Sequence, residues 1–532
     1  MTTTKKTPTR VVLGDEAVAL GALHAGISAA YGYPGTPSTE ILEYLLRSPE
    51  PGLTAAWCAN EKTAYEAAVG VSLVGRRSLV TMKHVGLNVA ADPFINSALV
   101  EIAGGLVVAV ADDPGMHSSQ NEQDSRYYAD FARILCLEPA DQQQAYDMTR
   151  VAFDLSERFH LPVMIRLVTR LAHSRSVVTP APPATQLPLG HLPDGSDWTL
   201  LPANARRRFA DLLQRQPALL AYSESVAALR PASTALGVIT TGIARNYFLE
   251  HLANLPEAPS HLHIGTYPIP IEAVRKLADH VDRIVVLEDG YPFVERLLRG
   301  LLPGPLPIDG KLNGVVPASG ELDPDVVRAA LHLPDQRPAL PPLNLASRPP
   351  QLCRGCPHAD SFHALIDAMA EMEGPLVCSD IGCYTLGALP PYRAIQSCVC
   401  MGASIGMARG ASDAGYRPAI AVIGDSTFLH SGMTPLLDAV AADADLTVLI
   451  LDNHTVAMTG AQPTLVPSER LPEIIRGLGV DPDHLHVLRA SRKGEADLIA
   501  TIKQELEHPG LSVVIAEREC IEAVKRDRRG RT

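Results

Sequence analysis

Short apolar runs rich in valine, isoleucine and leucine recur along this chain, most of them followed by a polar loop and then by apolar residues at helical spacing. The run Ile420 to Ile423 ends in Gly424-Asp425-Ser426. A helical pattern follows, and a second run, Leu446 to Leu451, ends in Asp452-Asn453-His454. This order predicts a β-loop-α-β unit whose polar residues gather at the carboxyl ends of neighbouring parallel strands, where open α/β sheets bind ligands.

The same alternation fills Val11 to about Leu171. Gly14-Asp15-Glu16 opens an alanine-rich helix to Ala25, the turn from Tyr31 to Thr39 carries two prolines and two glycines beyond its tyrosines, and Glu40 to Leu46 reads as helix. Glu61 stands at the polar start of an otherwise apolar helix, and Lys83, His84 and Asn88 follow a strand. Asp112 to Arg126 is a long polar loop without apolar period, of a kind that is functional or disordered in a compact domain. Beyond it, residues 176 to 233 are first Pro-rich and then helical from Ala203 to Leu229, predicting a linker and a bracing helix. Ala235 to about Gly300 predicts a smaller α/β unit with strands Leu236 to Thr240, Leu262 to Thr266 and Arg283 to Glu288 and a helix Ile271 to His280; Glu288-Asp289 at a strand end fits a catalytic pair or a docking loop, and the docking loop is the preferred reading. Residues 303 to 350 form a second Pro-rich linker, and a last domain starts at Leu352.

A length of 532 residues suits three or four domains, and 46% hydrophobic with only 5% aromatic residues suits helix-covered parallel sheets. The net charge of −13 argues against a nucleic-acid or membrane-surface partner, because the basic clusters (Lys5-Lys6, Arg206 to Arg208, Lys525 to Arg531) are short. No apolar run is long enough to span a membrane and the N-terminal residues have no apolar signal core, so a cytoplasmic location is expected. Nine cysteines in such a chain then read as core residues, metal ligands or nucleophiles rather than a disulfide framework.

Asp425 and Asn453 offer the hard oxygens that Mg²⁺ prefers when it also holds a phosphate, although a strand-end Asp and Asn can equally cap turns. Cys353-Arg-Gly-Cys356 is a CxxC that fits a redox dithiol, half a zinc site or half an iron–sulfur site. Adding Cys383 and Cys520 makes a soft tetrahedral set for Zn²⁺ or a [4Fe–4S] cluster; spacing does not choose between them.

Gly424-Asp-Ser-Thr-Phe428 with Leu451-Asp-Asn-His-Thr455 resembles the diphosphate motif of thiamine-diphosphate enzymes, departing from it at Ser426 and in Asp-Asn-His. Further motifs occur in order: Tyr33-Pro-Gly-Thr-Pro37, Asn60-Glu-Lys62, Met82-Lys-His-Val-Gly-Leu-Asn88, Cys353-x-Gly-Cys-Pro-His358, Ser379-Asp-Ile-Gly-Cys-Tyr384 and Gly402-Ala-Ser-Ile-Gly406. Together they resemble the large subunit of indolepyruvate:ferredoxin oxidoreductase, within the 2-oxoacid:ferredoxin oxidoreductases, over nearly the whole chain. The resemblance implies an α/β protein with two doubly wound thiamine-type domains and a smaller transketolase-C-terminal-like domain. Residues 1–175 would be the pyrimidine-binding domain, 176–233 linker and bracing helix, 234–302 the smaller domain, 303–350 linker and 351–532 the diphosphate-binding domain.

It further implies that Glu61 hydrogen-bonds the aminopyrimidine, that Thr36 lies near the substrate carbonyl, and that Lys83 and His84 belong to the catalytic set. Gly424, Asp425, Ser426, Asn453 and Thr455 would bind the cofactor, with Asp425, Asn453 and the Thr455 carbonyl on Mg²⁺. Cys353, Cys356, Cys383 and Cys520 would hold one [4Fe–4S] cluster. The implied reaction is oxidative decarboxylation of an aryl 2-oxoacid to an acyl-CoA, with a small partner subunit, a ferredoxin-like acceptor and assembly as a dimer or hetero-oligomer. Large subunits of this kind commonly continue into a ferredoxin-like domain with two further cysteine-rich motifs. Such motifs are not found before Thr532, so a separate carrier is expected. A thiamine-dependent lyase that releases an aldehyde, and a non-catalytic partner, are the competing readings.

Overall fold

The strand Ala419–Gly424 shows how the sequence builds its sheets. All six residues are buried, and their side chains alternate between two separate cores. Ala419, Ala421 and Ile423 enter one hydrophobic cluster, Ile420 and Val422 the other. The neighbouring Leu446–Asp452 divides likewise, sending Val448 and Ile450 to one side and Leu449 and Leu451 to the other. A strand covered by helices on both faces needs no polar positions, which is why these runs read as continuously apolar.

The computed structural model describes residues 9–190, 195–302, 304, 306–334, 351–398, 400–413 and 415–530. Lys5, Lys6, the later part of the second Pro-rich linker (335–350) and Arg531 lie outside the described residues. The chain forms two units, Met1–Leu340 and Pro341–Thr532. Among the described residues no helix is long and apolar enough to cross a membrane.

The second unit holds a six-stranded, wholly parallel sheet in the order Ser397–Cys398, Leu376–Ser379, Ala419–Gly424, Leu446–Asp452, Leu511–Glu517, Leu485–Arg489. In the first unit a seven-stranded sheet runs Thr266–Tyr267, Cys136–Leu137, Val163–Val168, Leu106–Asp112, Ser78–Lys83, Ala29–Gly32, Thr54–Trp57. Six of these strands are parallel; Thr266–Tyr267 joins antiparallel. That strand comes from the smaller α/β segment, whose own five-stranded sheet is ordered Ile308–Asp309, Arg283–Leu287, Leu236–Thr241, Ser260–Ile264, Ala228–Arg230.

Two differences from the expected elements have physical reasons. The bracing helix is Pro202–Val226 rather than extending to Leu229, because Ala228–Arg230 pairs antiparallel with Ser260–Ile264. Within the Pro-rich stretch, Ile308–Asp309 adds a strand to the smaller sheet and Pro324–Ala330 forms a helix started by Asp323, whose side chain accepts from Val326 N–H at 2.8 Å.

The two sheets of the first unit are joined by a buried charge network. Arg166 pairs with Asp112 at 2.7 Å and Glu138 at 2.5 Å. Arg126 pairs with Asp124 at 2.5 Å and reaches Glu288 at 2.9 Å. Both arginines are essentially inaccessible, so each ion pair stands in a dry setting where losing one partner is costly. Glu288 and Asp289 therefore serve docking: Glu288 also accepts from Val294 and Glu295 N–H, and the Asp289 carbonyl accepts from both arginines. The basic stretch on the bracing helix works similarly, with Arg208 and Arg215 both on Glu101.

Candidate active site

In the first unit the strand ends of the large sheet bring four predicted residues together. Asn60 caps the helix Glu61–Leu73 by accepting from Thr63 N–H at 2.9 Å, which fixes Glu61 at its first position with 5% exposure. The close approach of the next helix depends on Gly86, where a Cβ would meet Glu61 Oε1 at 2.5 Å. Lys83 ends its strand with its stem against Gly35, where a Cβ would meet Lys83 Cδ at 3.1 Å. Burial pushes the Lys83 ammonium down to about 8, against the pull of Asp113 and Glu61.

The long polar loop is ordered by its own hydrogen bonds. Asp113 accepts from Ser118 N–H (2.8 Å), Ser119 Oγ (2.7 Å) and Thr169 Oγ1 (2.7 Å). Burial raises its carboxyl, but these donors and Lys83 outweigh that and hold it below the usual range. Lys83 Nζ donates to the Ser118 carbonyl at 3.2 Å, and Ser118 Oγ donates to the Thr36 carbonyl at 3.1 Å. His84 Nε2 meets Asn121 at 3.2 Å, while its Nδ1 is buried without a partner among the described residues. Thr36, Glu61, Lys83 and His84 thus share one neighbourhood. Asp113, Ser118 and Asn121 join it unforeseen, since a loop without periodicity carries no signal for individual side chains.

In the second unit, Asp425 follows the buried strand end Gly424, where a Cβ would meet the Tyr384 ring at 2.6 Å. Burial, and then the Asp452 carboxylate, push the Asp425 carboxyl well above its ordinary range; the Ser426 N–H works the other way. Its Oδ2 is buried with no hydrogen-bond partner among the described residues. That orphan oxygen is what a divalent cation would satisfy, so the donors present fit Mg²⁺ on a diphosphate. Asp452, not foreseen, is held by His454 N–H at 3.0 Å and Ser468 Oγ at 2.8 Å. Asn453 Oδ1 accepts from Thr455 N–H at 3.1 Å, and its Nδ2 donates to His358 Nε2 at 3.0 Å. His358 accepts because burial, and then the Arg518 charge, push it down to about 4, keeping it neutral.

The cysteines converge on the same end of this sheet. The Cys383 thiol is pushed up to about 12 by burial and by Cys356, Cys520 and Cys353 around it. All four are free thiols. Cys520 N–H donates to the Asn453 carbonyl at 3.0 Å, and Arg518 bonds Asp360 at 2.6 Å and the Gly355 carbonyl at 3.1 Å. The exit of strand Leu511–Glu517 is thereby tied both to the CxxC loop and to the residue after Asp452.

Comparison with known proteins accords with both halves. Residues 380–516 match the thiamine pyrophosphate enzyme C-terminal TPP-binding domain, and residues 20–198 match the thiamine-diphosphate-binding N-terminal domain of pyruvate flavodoxin/ferredoxin oxidoreductases. The 2-oxoglutarate:ferredoxin oxidoreductase of Magnetococcus marinus superposes with a TM-score of 0.50 at 16% identity, covering 61% of this chain and 65% of that one, a likeness of fold. The class is thus that of thiamine-diphosphate-binding 2-oxoacid oxidoreductases. Indolepyruvate oxidoreductase subunit IorA of Archaeoglobus fulgidus is 36% identical over 97% of this chain and 87% of its own length. The protein of that name from Methanothermobacter thermautotrophicus is 36% identical over 96% of this chain and 86% of its own. The chain belongs to this IorA family of large subunits.

Proposed function

We propose that this chain is the thiamine-bearing subunit of an enzyme that oxidatively decarboxylates an aryl 2-oxoacid, of the indolepyruvate kind, to an acyl-CoA. Cys353, Cys356, Cys383 and Cys520 would hold a [4Fe–4S] cluster, which would supply one-electron transfer to a ferredoxin-like acceptor; carbon dioxide is released, and coenzyme A takes the acyl group with a small partner subunit. Residues 1–175 bind the pyrimidine end of the cofactor and 351–532 the diphosphate end, with 234–302 as the transketolase-C-terminal-like domain.

Thiamine diphosphate, when bound, supplies the electron sink that stabilises the carbanion left by decarboxylation. This chain's residues bind and orient it. Asp425, Asn453 and the Thr455 carbonyl would hold Mg²⁺ on the diphosphate, with Gly424 and Ser426 lining the turn. Glu61 shares a proton with the aminopyrimidine, its buried position making that hydrogen bond strong. Lys83, charged below about pH 8, attracts the carboxylate of the 2-oxoacid, and Thr36 and His84 flank its carbonyl.

The observation that carries the redox half is the Cys520 to Asn453 hydrogen bond, because it seats a thiol next to the metal cradle, where electrons must depart. A lyase would need no such exit.

The test is anaerobic turnover of indolepyruvate by the chain with its partner subunit, read as reduction of a viologen dye. Coenzyme A-dependent reduction with acyl-CoA formed is the expected result. Aldehyde release without dye reduction would make the protein a lyase, and formation of neither product would overturn the aryl 2-oxoacid assignment.

A further inference from the structure

A second candidate for metal chemistry lies in the first unit, on residues that the proposed reaction does not use. Asp15 is in the first turn of the helix Gly14–His24 and is completely buried. Among the described residues neither of its carboxylate oxygens has a hydrogen-bond donor, and Oε2 of Glu40, in the helix Thr39–Leu46, has none either. His173, the last residue of the helix Thr169–His173, places Nε2 3.6 Å from Glu40 Oε2. One ligand atom from each of Asp15, Glu40 and His173 lies within 4.8 Å of the others, the one such group of three or more among the described residues. The approach is fixed by backbone, for at Gly14 a Cβ would meet the Leu171 carbonyl oxygen at 2.2 Å.

Asp15 is fully buried against the Glu40 carboxyl, and two carboxyls so placed need a proton or a cation between them. One shared proton satisfies one Asp15 oxygen and leaves the other bare. A cation takes both when the carboxylate binds through its two oxygens. The imidazole chooses the ion: Mg²⁺ and Ca²⁺ prefer all-oxygen sets, whereas one His with two carboxylates suits Zn²⁺ and its first-row neighbours. Glu40 and His173 are partly exposed, so water can complete the coordination and the ion can enter.

We propose that Asp15, Glu40 and His173 form a binding site for a divalent first-row transition cation, tying three helix ends together. Glu40 immediately follows the turn Gly35–Thr39, which Thr39 closes by accepting from Gly35 N–H at 3.0 Å. The ion would therefore brace the segment that carries Thr36. Its role is positional.

The site is tested by titrating Co²⁺ into protein already loaded with Mg²⁺ and thiamine diphosphate and with its cluster reconstituted, following visible absorption. One further equivalent should bind with weak d–d bands and no thiolate charge-transfer band, and Zn²⁺ should displace it. Asp15→Asn, which keeps shape and can donate to Glu40, should weaken binding at least tenfold, as should His173→Ala. Equal Co²⁺ binding by wild type and both variants would overturn the proposal. So would a wild type that takes up no further Co²⁺, the outcome of a shared proton only. Cobalt binding is read without turnover, so it stands or falls separately from the reaction proposed above.

Discussion

Glu61 and Lys83 were the residues most exposed to misreading, since a first-turn glutamate is ordinary helix chemistry and a lysine after a strand is unremarkable. What sets them apart is burial against glycines that leave no room for a Cβ, and spacing alone does not reveal which glycine meets which side chain. Glu61→Gln should lower kcat by about 10²-fold or more, the usual worth of a positioned proton-transfer group, with an unchanged melting curve. An equal kcat in steady-state assay would remove Glu61 from the pyrimidine role. Lys83 gives a pH signature. Its folded value, about 8, lies below that of a free lysine, so the unfolded chain binds more protons between about pH 8 and 10. The cost of burying the charged form is thus present below pH 8 and is relieved as pH rises through that window. Lys83→Met should therefore stabilise the protein at pH 7 by about 1–3 kcal/mol, with the difference shrinking toward pH 10 in paired denaturant titrations.

At the scale of elements, long apolar runs were legible and short pairings were not. The strands Ala419–Gly424 and Leu446–Asp452 stand where continuous apolar runs place them, because a strand buried on both faces carries its whole signal locally. Thr266–Tyr267 and Ala228–Arg230 are too short to show a period, and their partners are distant in sequence. The charge network was half legible. Glu288-Asp289 could be read as a docking loop, but its partner Arg126 ends a polar loop that gave no hint of burial, and Arg166 is a lone charge within the apolar strand Val163–Val168. Arg126→Ala would strand Asp124 and Glu288 in the core and should cost about 3–5 kcal/mol. Calorimetry should show a lower melting temperature for the first unit, while a loss under about 1 kcal/mol would mean that water reaches the vacated carboxylates.

For the whole molecule, the ordered motifs disclosed the class, and the arrangement of donors within each unit supports the chemistry proposed for it. The cysteine group was legible as a set although its four residues are spread from Cys353 to Cys520, and the structure places the other three around Cys383; what spacing left open was the choice between Zn²⁺ and a cluster. Cys383→Ser, purified without oxygen, should lose most of its iron and acid-labile sulfide while retaining thiamine diphosphate. Full iron content would place the cluster on other ligands. The borrowed strand Thr266–Tyr267 bears on how this protein can be dissected. A fragment ending near residue 175 would uncover the edge of Cys136–Leu137 and leave Arg126 without Glu288. Bare edges recruit other chains. Such a fragment should therefore precipitate or associate on expression, and the smallest soluble piece of the N-terminal half should extend past the smaller sheet.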